Sequence, residues 1–496
     1  MDRKILIIIW LLLAIFFQGF AQETLQVKPE TSIAWPSYDK LEGRYDSFRR
    51  ESKYITMRDG VRLAIDIYRP TKNGTIENCP LPVIWNHTRY TRALKGLGGN
   101  IQTLVSSPLG MMFIKQGYIL VVADARGTGA SFGIKNGLFA QESAKDAYEI
   151  IEWIASQKWC NGNVGMMGGS YEGVTQLMAA STKPPHLKAI FPAMCLFDLY
   201  DFPYHNGVLF DDCLVSVEET LNKSIKRNVG FIAPIDEDSS RVLLQEAVSF
   251  RKNNRSIDHI FPNLPYRDSF DSLTHSSPYQ KWGPSNYIDK INESGVAIYV
   301  YGGWFDLFSR DALVLYDNLT VPKKLSMVDS PHSSVNNPGL TQFYFTEQLR
   351  WFDYWLKSIP NGIMEEPPVT IQQMGMGGAG EFLSSEKWPL KNTFNMKLYF
   401  LKGPSGTVGS LNDDILDKQK PDSGSGTDKY QADLFYKLKT GHQVRLNLVC
   451  ADRDNTNSHK IFTVPEITLW RNSQYPSNLE LPLVINQLLL NFNDRI

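Results

Sequence analysis

The sequence predicts an α/β fold around a mostly parallel sheet, with a helical segment inserted into it and a β-rich module after it. Three observations predict this arrangement. Short apolar runs alternate with amphipathic helical patterns before residue 197 and again after residue 288. A long polar stretch separates these two parts, and strand-like patterns dominate after residue 362. Strands that alternate with helices favour parallel pairing, because each crossover returns the chain to the same edge of the sheet.

The predicted strands begin with a hairpin. Alternating side chains over residues 54–58 and 61–68 flank an Asp-Gly pair at Asp59 and Gly60, which is a strong hairpin signal. Six continuous apolar runs follow, at 82–85, 118–123, 164–167, 189–191, 296–301 and 325–328. Such runs are typical of strands buried on both faces. Apolar residues recur at helical spacing in 141–157 and 341–357, so these helices are expected to cover the sheet.

The inserted segment and the C-terminal module set the domain boundaries. Residues 197–288 are polar and weakly amphipathic, and we interpret them as a helical cap over the carboxyl ends of the strands. The α/β core is therefore expected in residues 40–196 and 289–362, and a C-terminal β-sandwich in 363–496. Within that sandwich, the Gly/Ser/Asp-rich stretch 403–426 is predicted to be a mobile loop.

A serine lies at the sharpest predicted turn of the core. The buried run 164–167 leads into G-G-S-Y-E-G at 168–173, and a helical pattern follows. A serine on such a turn projects its hydroxyl above the sheet, and the next N–H, that of Tyr171, points to where an oxyanion forms. The generic pattern is G-x-S-x-G, but here Glu172 replaces the last glycine. The motif by itself leaves a catalytic Ser170 and an ordinary tight turn equally open.

A serine nucleophile needs a histidine base that is oriented by a carboxylate. On this type of turn the chain order is serine, acid, histidine. His332 comes directly after the apolar run 325–328, and Asp306 ends the segment that continues the run 296–301. Both lie where loops at the carboxyl ends of strands are expected. The sequence therefore predicts a triad of Ser170, Asp306 and His332.

Six motifs resemble, in order, a known family of serine hydrolases. They are M-R-D-G-V-R-L (57–63), D-A-R-G-T-G-A-S (124–131), W-C-N-G-N-V-G (159–165), G-G-S-Y-E-G (168–173), G-W-F-D (303–306) and F-D-Y-W-L-K (352–357). The resemblance is to the CocE/NonD-type family, which groups cocaine esterase, α-amino acid ester hydrolases, glutaryl acylases and X-Pro dipeptidyl-peptidases. It covers about residues 50–400 and thinly the C-terminus. The displaced elbow glycine is the form that this family uses.

The resemblance implies both a fold and residue roles. The implied fold is an α/β-hydrolase core with an inserted helical cap and a C-terminal jelly-roll module. The implied roles are Ser170 as nucleophile, His332 as base and Asp306 as the carboxylate that orients the base. Tyr90 matches the tyrosine whose hydroxyl completes the oxyanion hole with the N–H of Tyr171. Loss of one such donor typically costs about 10²–10³ in rate.

The sequence departs from the family pattern in two places. The family's α-amino ester hydrolases hold the substrate ammonium with acidic residues just after the triad aspartate, but residues 307–309 are uncharged Leu-Phe-Ser. Asp198 and Asp201 in the cap remain candidate substrate contacts, and Trp304 is a third. The jelly roll also looks shortened, because the region between residues 401 and 441 is too small for the usual strands.

The N-terminus predicts export. Arg3 and Lys4 precede the uncharged apolar run 5–17, and Ala21 provides a small residue at signal-peptidase spacing. We interpret residues 1–21 as a cleaved signal peptide and expect a periplasmic or secreted protein. An uncleaved anchor is the alternative, although the run is short for a span of roughly 20 residues.

Composition excludes several classes of function. The net charge of −1 does not indicate a nucleic-acid partner. The five cysteines form no metal-binding spacing, and their pairing cannot be read from the sequence. Gly375, Gly377 and Gly380 fit G-x-G-x-x-G, but no apolar helix follows to bind a dinucleotide. We therefore expect no cofactor, no metal and no stable membrane span after signal cleavage.

Two classes of function remain open. The first is an acyl hydrolase with a covalent acyl-enzyme, acting on a small ester or amide or, as a variant, releasing X-Pro dipeptides. The second is a non-catalytic binding protein that uses the β module. The expected partner is a small ester, amide or short peptide, and homo-oligomerisation is possible.

Overall fold

The structure, a computed structural model, describes residues 38, 43–96, 100–135, 137–138, 141–205, 208–210, 214–215, 230–332, 338–374 and 380–390. Beyond residue 390 it describes the backbone of residues 393–402, 414–417, 429–431 and 478–484.

The described strands, in chain order, are β1 (Ser47–Thr56), β2 (Arg62–Lys72), β3 (Thr75–Ile76), β4 (Leu81–Thr88), β5 (Ala93–Lys95), β6 (Ile101–Thr103), β7 (Ile119–Asp124), β8 (Cys160–Gly169), β9 (Leu187–Ala193), β10 (Tyr204–His205), β11 (Val208–Leu209), β12 (Ala297–Phe305), β13 (Lys323–Pro331), β14 (Val369–Gln372), β15 (Phe382–Ser385), β16 (Thr393–Lys402), β17 (Asp414–Asp417), β18 (Lys429–Gln431) and β19 (Asn478–Val484).

The described α-helices are α1 (Pro108–Lys115), α2 (Gln141–Ala155), α3 (Tyr171–Ala180), α4 (Val242–Phe250), α5 (Ile257–Ile260), α6 (Pro278–Lys281), α7 (Ile288–Glu293), α8 (Ser309–Asn318) and α9 (Pro338–Lys357). Short 3₁₀ turns cover Leu104–Ser106, Leu199–Asp201, Arg251–Asn253, Phe261–Asn263 and Pro284–Tyr287.

One twisted sheet forms the centre of the molecule, with strand order β1-β2-β7-β4-β8-β9-β12-β13-β14-β15. The seven strands from β7 to β14 in this order pair in parallel, while β1, β2 and β15 are antiparallel to their neighbours. The six apolar runs predicted from the sequence are all strands of this sheet, so that prediction is confirmed. The predicted hairpin is confirmed as well, with Ile55 opposite Leu63.

Helices cover both faces of the sheet. One core cluster joins the sheet to α2, α3 and α8, and the other joins it to α1 and α9. This explains why the parallel strands have continuous apolar sequences: β7, for example, is buried at all six positions. The carboxyl ends of the parallel strands consequently share one edge of the sheet, which is where ligands bind in folds of this kind.

The expected end of the core at residue 362 requires correction. β14 pairs in parallel with β13, with Val369 opposite Leu325, and β15 pairs with β14. All four residues of β14 are buried. The core sheet therefore extends to Ser385, because pairing with the open edge of β13 buries this apolar strand and lowers the free energy of the fold. A strand-like pattern alone does not tell which sheet will receive the strand.

A second sheet lies further along the chain, with the order β17-β16-β19-β18. β17 falls within the stretch 403–426 that was predicted to be a loop, and it pairs antiparallel with β16. The predicted strands 443–449 and 461–469 lie outside the described residues. The jelly roll therefore stays a prediction.

The segment between β9 and β12 contains the short helices α4 to α6 and the small β10–β11 hairpin, in the range expected for the cap. Ile232 and Leu244 anchor it by packing against Ala64 and Ala130 of the core. The expected signal peptide, residues 1–21, lies outside the described residues. Among the described helices, none has the length and apolar character needed to cross a bilayer.

Candidate active site

Ser170 lies at the junction between β8 and α3. Its φ of 57° and ψ of −125° are unfavourable for a residue with a Cβ, and such strain is typical of a nucleophile turn. The Ser170 N–H donates to the carbonyl of Ala193 at 2.9 Å, which holds the turn against β9. A Cβ at Gly173 would lie 2.6 Å from the Cβ of Cys195. The displaced glycine of the motif is therefore required where α3 passes the end of β9.

The predicted oxyanion donors lie next to this serine. The backbone nitrogen of Tyr171 donates to the hydroxyl oxygen of Tyr90 at 3.4 Å, and Ser170 also interacts with that hydroxyl. Two donors at this separation can both reach a single substrate oxygen. Desolvation of the hydroxyl raises the pKa of Tyr90, although 41% of the residue is exposed. The phenol consequently remains protonated at neutral pH, as a hydrogen-bond donor must be.

The glycine-rich motif at 124–131 supports the Tyr90 loop, a role that the sequence analysis missed. The carboxylate of Asp124 is fully buried and accepts the N–H of Arg92 at 2.6 Å. The N–H of Ala125 donates to the carbonyl of Thr88 at 2.7 Å. Both bonds fasten the chain on either side of Tyr90. The order of the motifs along the chain was a signal for this supporting role. The composition of the 124–131 motif by itself indicates only a turn.

Asp306 and His332 meet at the ends of β12 and β13. Nδ1 of His332 lies 2.8 Å from Oδ1 of Asp306. Asp306 is 5% exposed, and its carboxylate also accepts the N–H of Phe308 at 3.3 Å. The Phe308 ring packs edge-on against the imidazole, with ring centroids 5.5 Å apart. This geometry holds the imidazole in one orientation and leaves its Nε2 as the atom able to take up a proton.

The nucleophile and the histidine lie along the same edge of the sheet. β8, β9, β12 and β13 are consecutive parallel neighbours, and Ser170, Asp306 and His332 follow three of them. The described contacts of the Ser170 hydroxyl include an interaction with Tyr90, which offsets part of the rise that desolvation causes in the pKa of that phenol. In unliganded hydrolases the bond from nucleophile to base is often long and shortens when substrate binds. Rotation of the hydroxyl toward the imidazole can activate it as a nucleophile.

The two candidate carboxylates of the cap are already neutralised. Arg267 approaches Asp198 at 2.7 Å and Asp201 at 3.1 Å, and Arg310 forms a second ion pair with Asp201. The guanidinium-bearing side chains remain 57% and 53% exposed, respectively. These four residues, which we call the rim cluster, carry no net charge. A carboxylate that already has a cationic partner holds a substrate ammonium less strongly.

The rim cluster lies beside the end of the sheet that carries Ser170, Asp306 and His332, which we call the catalytic edge. Phe202, next to Asp201, packs on Phe308 with centroids 5.9 Å apart, and Phe308 packs on His332. Asp201 therefore lies near the aromatic residues that pack on His332, and the sequence analysis did not identify the arginine partners of Asp198 and Asp201. A contact of either carboxylate with substrate stays a prediction.

Trp304, the third candidate substrate contact, packs against β14. It is 6% exposed, and its Nε1–H donates to the carbonyl of Gln372 in β14 at 2.9 Å. Its ring also lies near Trp388, with centroids 6.3 Å apart. These contacts fix the indole in the fold, and a contact with substrate stays a prediction.

Two apolar side chains beside the triad aspartate are exposed. Phe305 is 60% and Leu307 37% exposed, and Phe305 pairs with Pro331, the residue before His332. The surface next to the imidazole is therefore apolar at these two positions.

Asp311 is a further buried carboxylate close to the site. From the sequence, it is expected only to favour the N-terminus of a helix. It is 6% exposed and accepts the N–H groups of Phe197 and Asp198 at 2.6 and 2.8 Å. Burial raises its pKa to about 7, and these two hydrogen bonds offset only part of that effect. Asp311 thus ties α8 to the segment that enters the cap.

Comparison with known proteins connects this arrangement to a family. The family model described as X-Pro dipeptidyl-peptidase (S15 family) matches residues 59–334, which is more than half of the chain. A putative serine esterase of Mycobacterium bovis is 30% identical over 457 residues, covering 82% of this chain and 68% of the relative. Cocaine esterase of Rhodococcus sp. is 27% identical over 385 residues, covering 72% of this chain and 62% of that enzyme.

Solved structures support the fold. A CocE/NonD family hydrolase from Staphylococcus aureus superposes with a TM-score of 0.56 at 24% identity, covering 76% of this chain and 61% of that one. The chain thus spans less than two thirds of the length of this structure and of cocaine esterase.

Proposed function

The chain belongs to the X-Pro dipeptidyl-peptidase (S15) family of serine hydrolases, and from this membership we propose that it cleaves an ester or amide bond of a small acyl compound through an acyl-enzyme on Ser170. The observation that carries the proposal is the 2.8 Å contact between His332 and Asp306 at the same sheet edge as the strained Ser170 turn.

The proposed reaction has two halves. The Ser170 hydroxyl oxygen attacks the carbonyl carbon while Nε2 of His332 takes up the hydroxyl proton. The carbonyl oxygen becomes an oxyanion that accepts the N–H of Tyr171 and the O–H of Tyr90. Collapse of this intermediate breaks the bond to the leaving group, which receives the proton from His332. Water then attacks the acyl ester in the same way and releases the acid and free Ser170.

We propose that the preferred acyl groups are uncharged. The exposed Phe305 and Leu307 offer apolar contact next to His332, while Asp198 and Asp201 are paired with arginines. Burying an ammonium against paired carboxylates costs desolvation without a compensating partner. These observations favour a neutral, apolar acyl group over a charged amino acid.

Release of X-Pro dipeptides is the second candidate. It is favoured by the description of the family model that matches residues 59–334. Such an activity needs recognition of a free N-terminal ammonium, for which the rim cluster would have to open and release Asp198 or Asp201. The neutral cluster therefore makes this candidate the weaker one.

Substitution of the nucleophile tests the catalytic proposal. Ser170→Ala is expected to lower kcat by about 10⁴–10⁶ against p-nitrophenyl esters. A fluorophosphonate probe should label the parent protein and not this variant. Ser156→Ala, on the surface beyond α2, is a matched control that should keep full activity. Unchanged turnover in Ser170→Ala contradicts the proposal, and absence of labelling on the folded parent instead favours a non-catalytic binding protein.

A substrate panel separates the two candidates. We expect higher kcat/KM for p-nitrophenyl butyrate than for Gly-Pro-p-nitroanilide or a cephalosporin amide. Preference for Gly-Pro-p-nitroanilide by tenfold or more would establish the peptidase alternative.

We also propose export, on the strength of the basic and apolar residues at positions 3–17 and of Ala21. Expression of the full chain in a bacterial host should give a processed protein that begins at Gln22, detected by N-terminal sequencing of the periplasmic fraction. Retention of Met1 in a cytoplasmic product contradicts this part.

A further inference from the structure

Glu172 occupies the position at which the generic serine elbow has a glycine, and its side chain does not point to solvent. It lies in the first turn of α3, two residues after Ser170. Its Oε2 accepts the Nδ2–H of Asn86 at 2.8 Å. Burial raises the pKa of Glu172, and interactions with Thr88, Asn86 and the N–H of Gly169 offset part of that effect. A glutamate here thus connects the nucleophile turn to the end of β4.

The two side chains that Glu172 binds lie on one face of β4. Asn86 and Thr88 are two residues apart, and they are 4% and 2% exposed. Because both are buried, loss of their acceptor leaves polar groups without a partner, at a cost of roughly 1–3 kcal/mol each. A Cβ at Gly168 would lie 2.6 Å from the Cβ of Glu172 and 2.7 Å from Nδ2 of Asn86. The glycine before the elbow therefore makes room for this contact.

Thr88 carries the connection onward to Tyr90. Its hydroxyl oxygen accepts the N–H of Tyr90 at 2.9 Å, and the same hydroxyl interacts with Glu172. The hydroxyl of Tyr90 in turn lies at the N–H of Tyr171, the residue beside Glu172. A closed ring of contacts thus runs from the first turn of α3 through Thr88 to Tyr90 and back to α3.

We propose that Glu172 is a positioning residue that sets the place of the Tyr90 hydroxyl in the oxyanion hole through Thr88 and Asn86. The inference rests on the proposed hydrolase function and deepens it. A carboxylate is needed because three donors converge on it, and only two acceptor oxygens without protons satisfy them all. Burial raises the pKa of Tyr90, and the charge of Glu172 adds to that effect.

Glu172→Gln tests the inference. A glutamine keeps the shape but presents an NH₂ group to a converging donor, so Tyr90 should shift from its place. A displacement of about 1 Å can cost as much as 10²-fold in rate, and we expect kcat to fall about 10–100-fold with KM changed less than twofold. Glu152→Gln, which affects a surface pair with His186, is the matched control and should leave kcat unchanged.

A double variant distinguishes positioning of Tyr90 from a general structural role. If Glu172 acts through Tyr90, the variant that combines Glu172→Gln with Tyr90→Phe should have a kcat within twofold of Tyr90→Phe alone. Multiplication of the two losses overturns the inference, as does a kcat within twofold of the parent in Glu172→Gln.

Substitutions at Thr88 provide a second route if the Glu172 variants do not fold. Thr88→Ser keeps the bridging hydroxyl and should retain kcat, whereas Thr88→Val should lose it to the same degree as predicted for Glu172→Gln. Equal kcat in the two variants overturns the inference. Every comparison is a ratio to a parent whose turnover depends on Ser170, so an inactive parent refutes the proposed function and an unaffected ratio refutes only the role of Glu172.

Discussion

The catalytic edge of the sheet and the rim cluster lie side by side, yet different interactions hold the side chains of each in place. At the edge, Asp306 and Tyr171 are 5% and 6% exposed, and they are held by hydrogen bonds: Asp306 to His332 and to the N–H of Phe308, and the N–H of Tyr171 to Tyr90. In the rim cluster, Arg267 and Arg310 are more than half exposed and are held by ion pairs.

This difference separates the two tasks of an enzyme of this family. Buried hydrogen bonds fix positions because breaking one leaves a desolvated polar group without a partner. Exposed ion pairs contribute about 0–1 kcal/mol and are screened by salt. We therefore expect the edge to determine the rate of the chemical step and the rim to determine which substrates enter, with a much smaller energy.

Asp306→Asn should have the largest effect and tests the rigidity of the edge. An amide in place of the carboxylate favours the wrong tautomer of His332, so kcat should fall about 10⁴-fold in assays with p-nitrophenyl esters. Asp317→Asn, exposed near the end of α8, is the control and should not change kcat. A loss of less than tenfold in kcat for Asp306→Asn contradicts the inferred role of Asp306 in orienting His332.

Tyr90→Phe should have the next largest effect. It removes one oxyanion donor while keeping the ring, and kcat should fall about 10²–10³-fold with a nearly unchanged KM. Tyr148→Phe, on the outer side of α2, is the matched control. A kcat within threefold of the parent would mean that the N–H of Tyr171 stabilises the oxyanion without the phenol.

Asp311→Asn tests the contact between α8 and the segment that enters the cap, through the pH dependence of the unfolding free energy. The folded-state pKa of about 7 lies above the usual 3.8, so the folded protein holds a proton that the unfolded chain releases between these values. The parent should therefore lose unfolding free energy from this group as pH rises from 4 to 7, by roughly 4 kcal/mol at about 1.4 kcal/mol for each pKa unit.

The asparagine variant cannot ionise, so its urea midpoint should fall less than that of the parent between pH 4.5 and pH 8. Asp317→Asn should follow the parent. Parallel curves for Asp311→Asn and the parent would show that Asp311 is already ionised throughout this range.

Removal of both rim arginines should have the smallest effect. Arg267→Ala with Arg310→Ala frees Asp198 and Asp201, so kcat/KM for an α-amino ester should rise about fivefold or less relative to a neutral ester, which corresponds to about 1 kcal/mol. Lys290→Ala, on α7, removes one positive charge outside the rim cluster and is the control. The gain should disappear at 0.5 M salt, and a hundredfold change would contradict the view of the rim as a weak, screened layer.

Much of the catalytic edge could be predicted because its signals are local. Ser170 was predicted from a strand-turn-helix pattern, and His332 and Asp306 were predicted because each follows an apolar strand in the required order. Tyr90 came from family resemblance, since an aromatic residue in a loop has no local signature. The rim could not be predicted, because Arg267 is 66 residues from Asp201 in the chain and charged residues are too common for their pairing to be read from sequence.

The sequence by itself determined the order of strands and helices, the sharp turn at Ser170 and the chain order of the proposed triad, because these follow from residue periodicity and local sterics. Only the tertiary structure decided that β14 joins the core sheet, that Trp304 donates to the backbone of β14, and that Glu172 and Asp311 accept hydrogen bonds from distant segments. The physical reason is that burial and pairing depend on which segments the fold brings together. Local sequence patterns do not identify spatial neighbours that are distant along the chain.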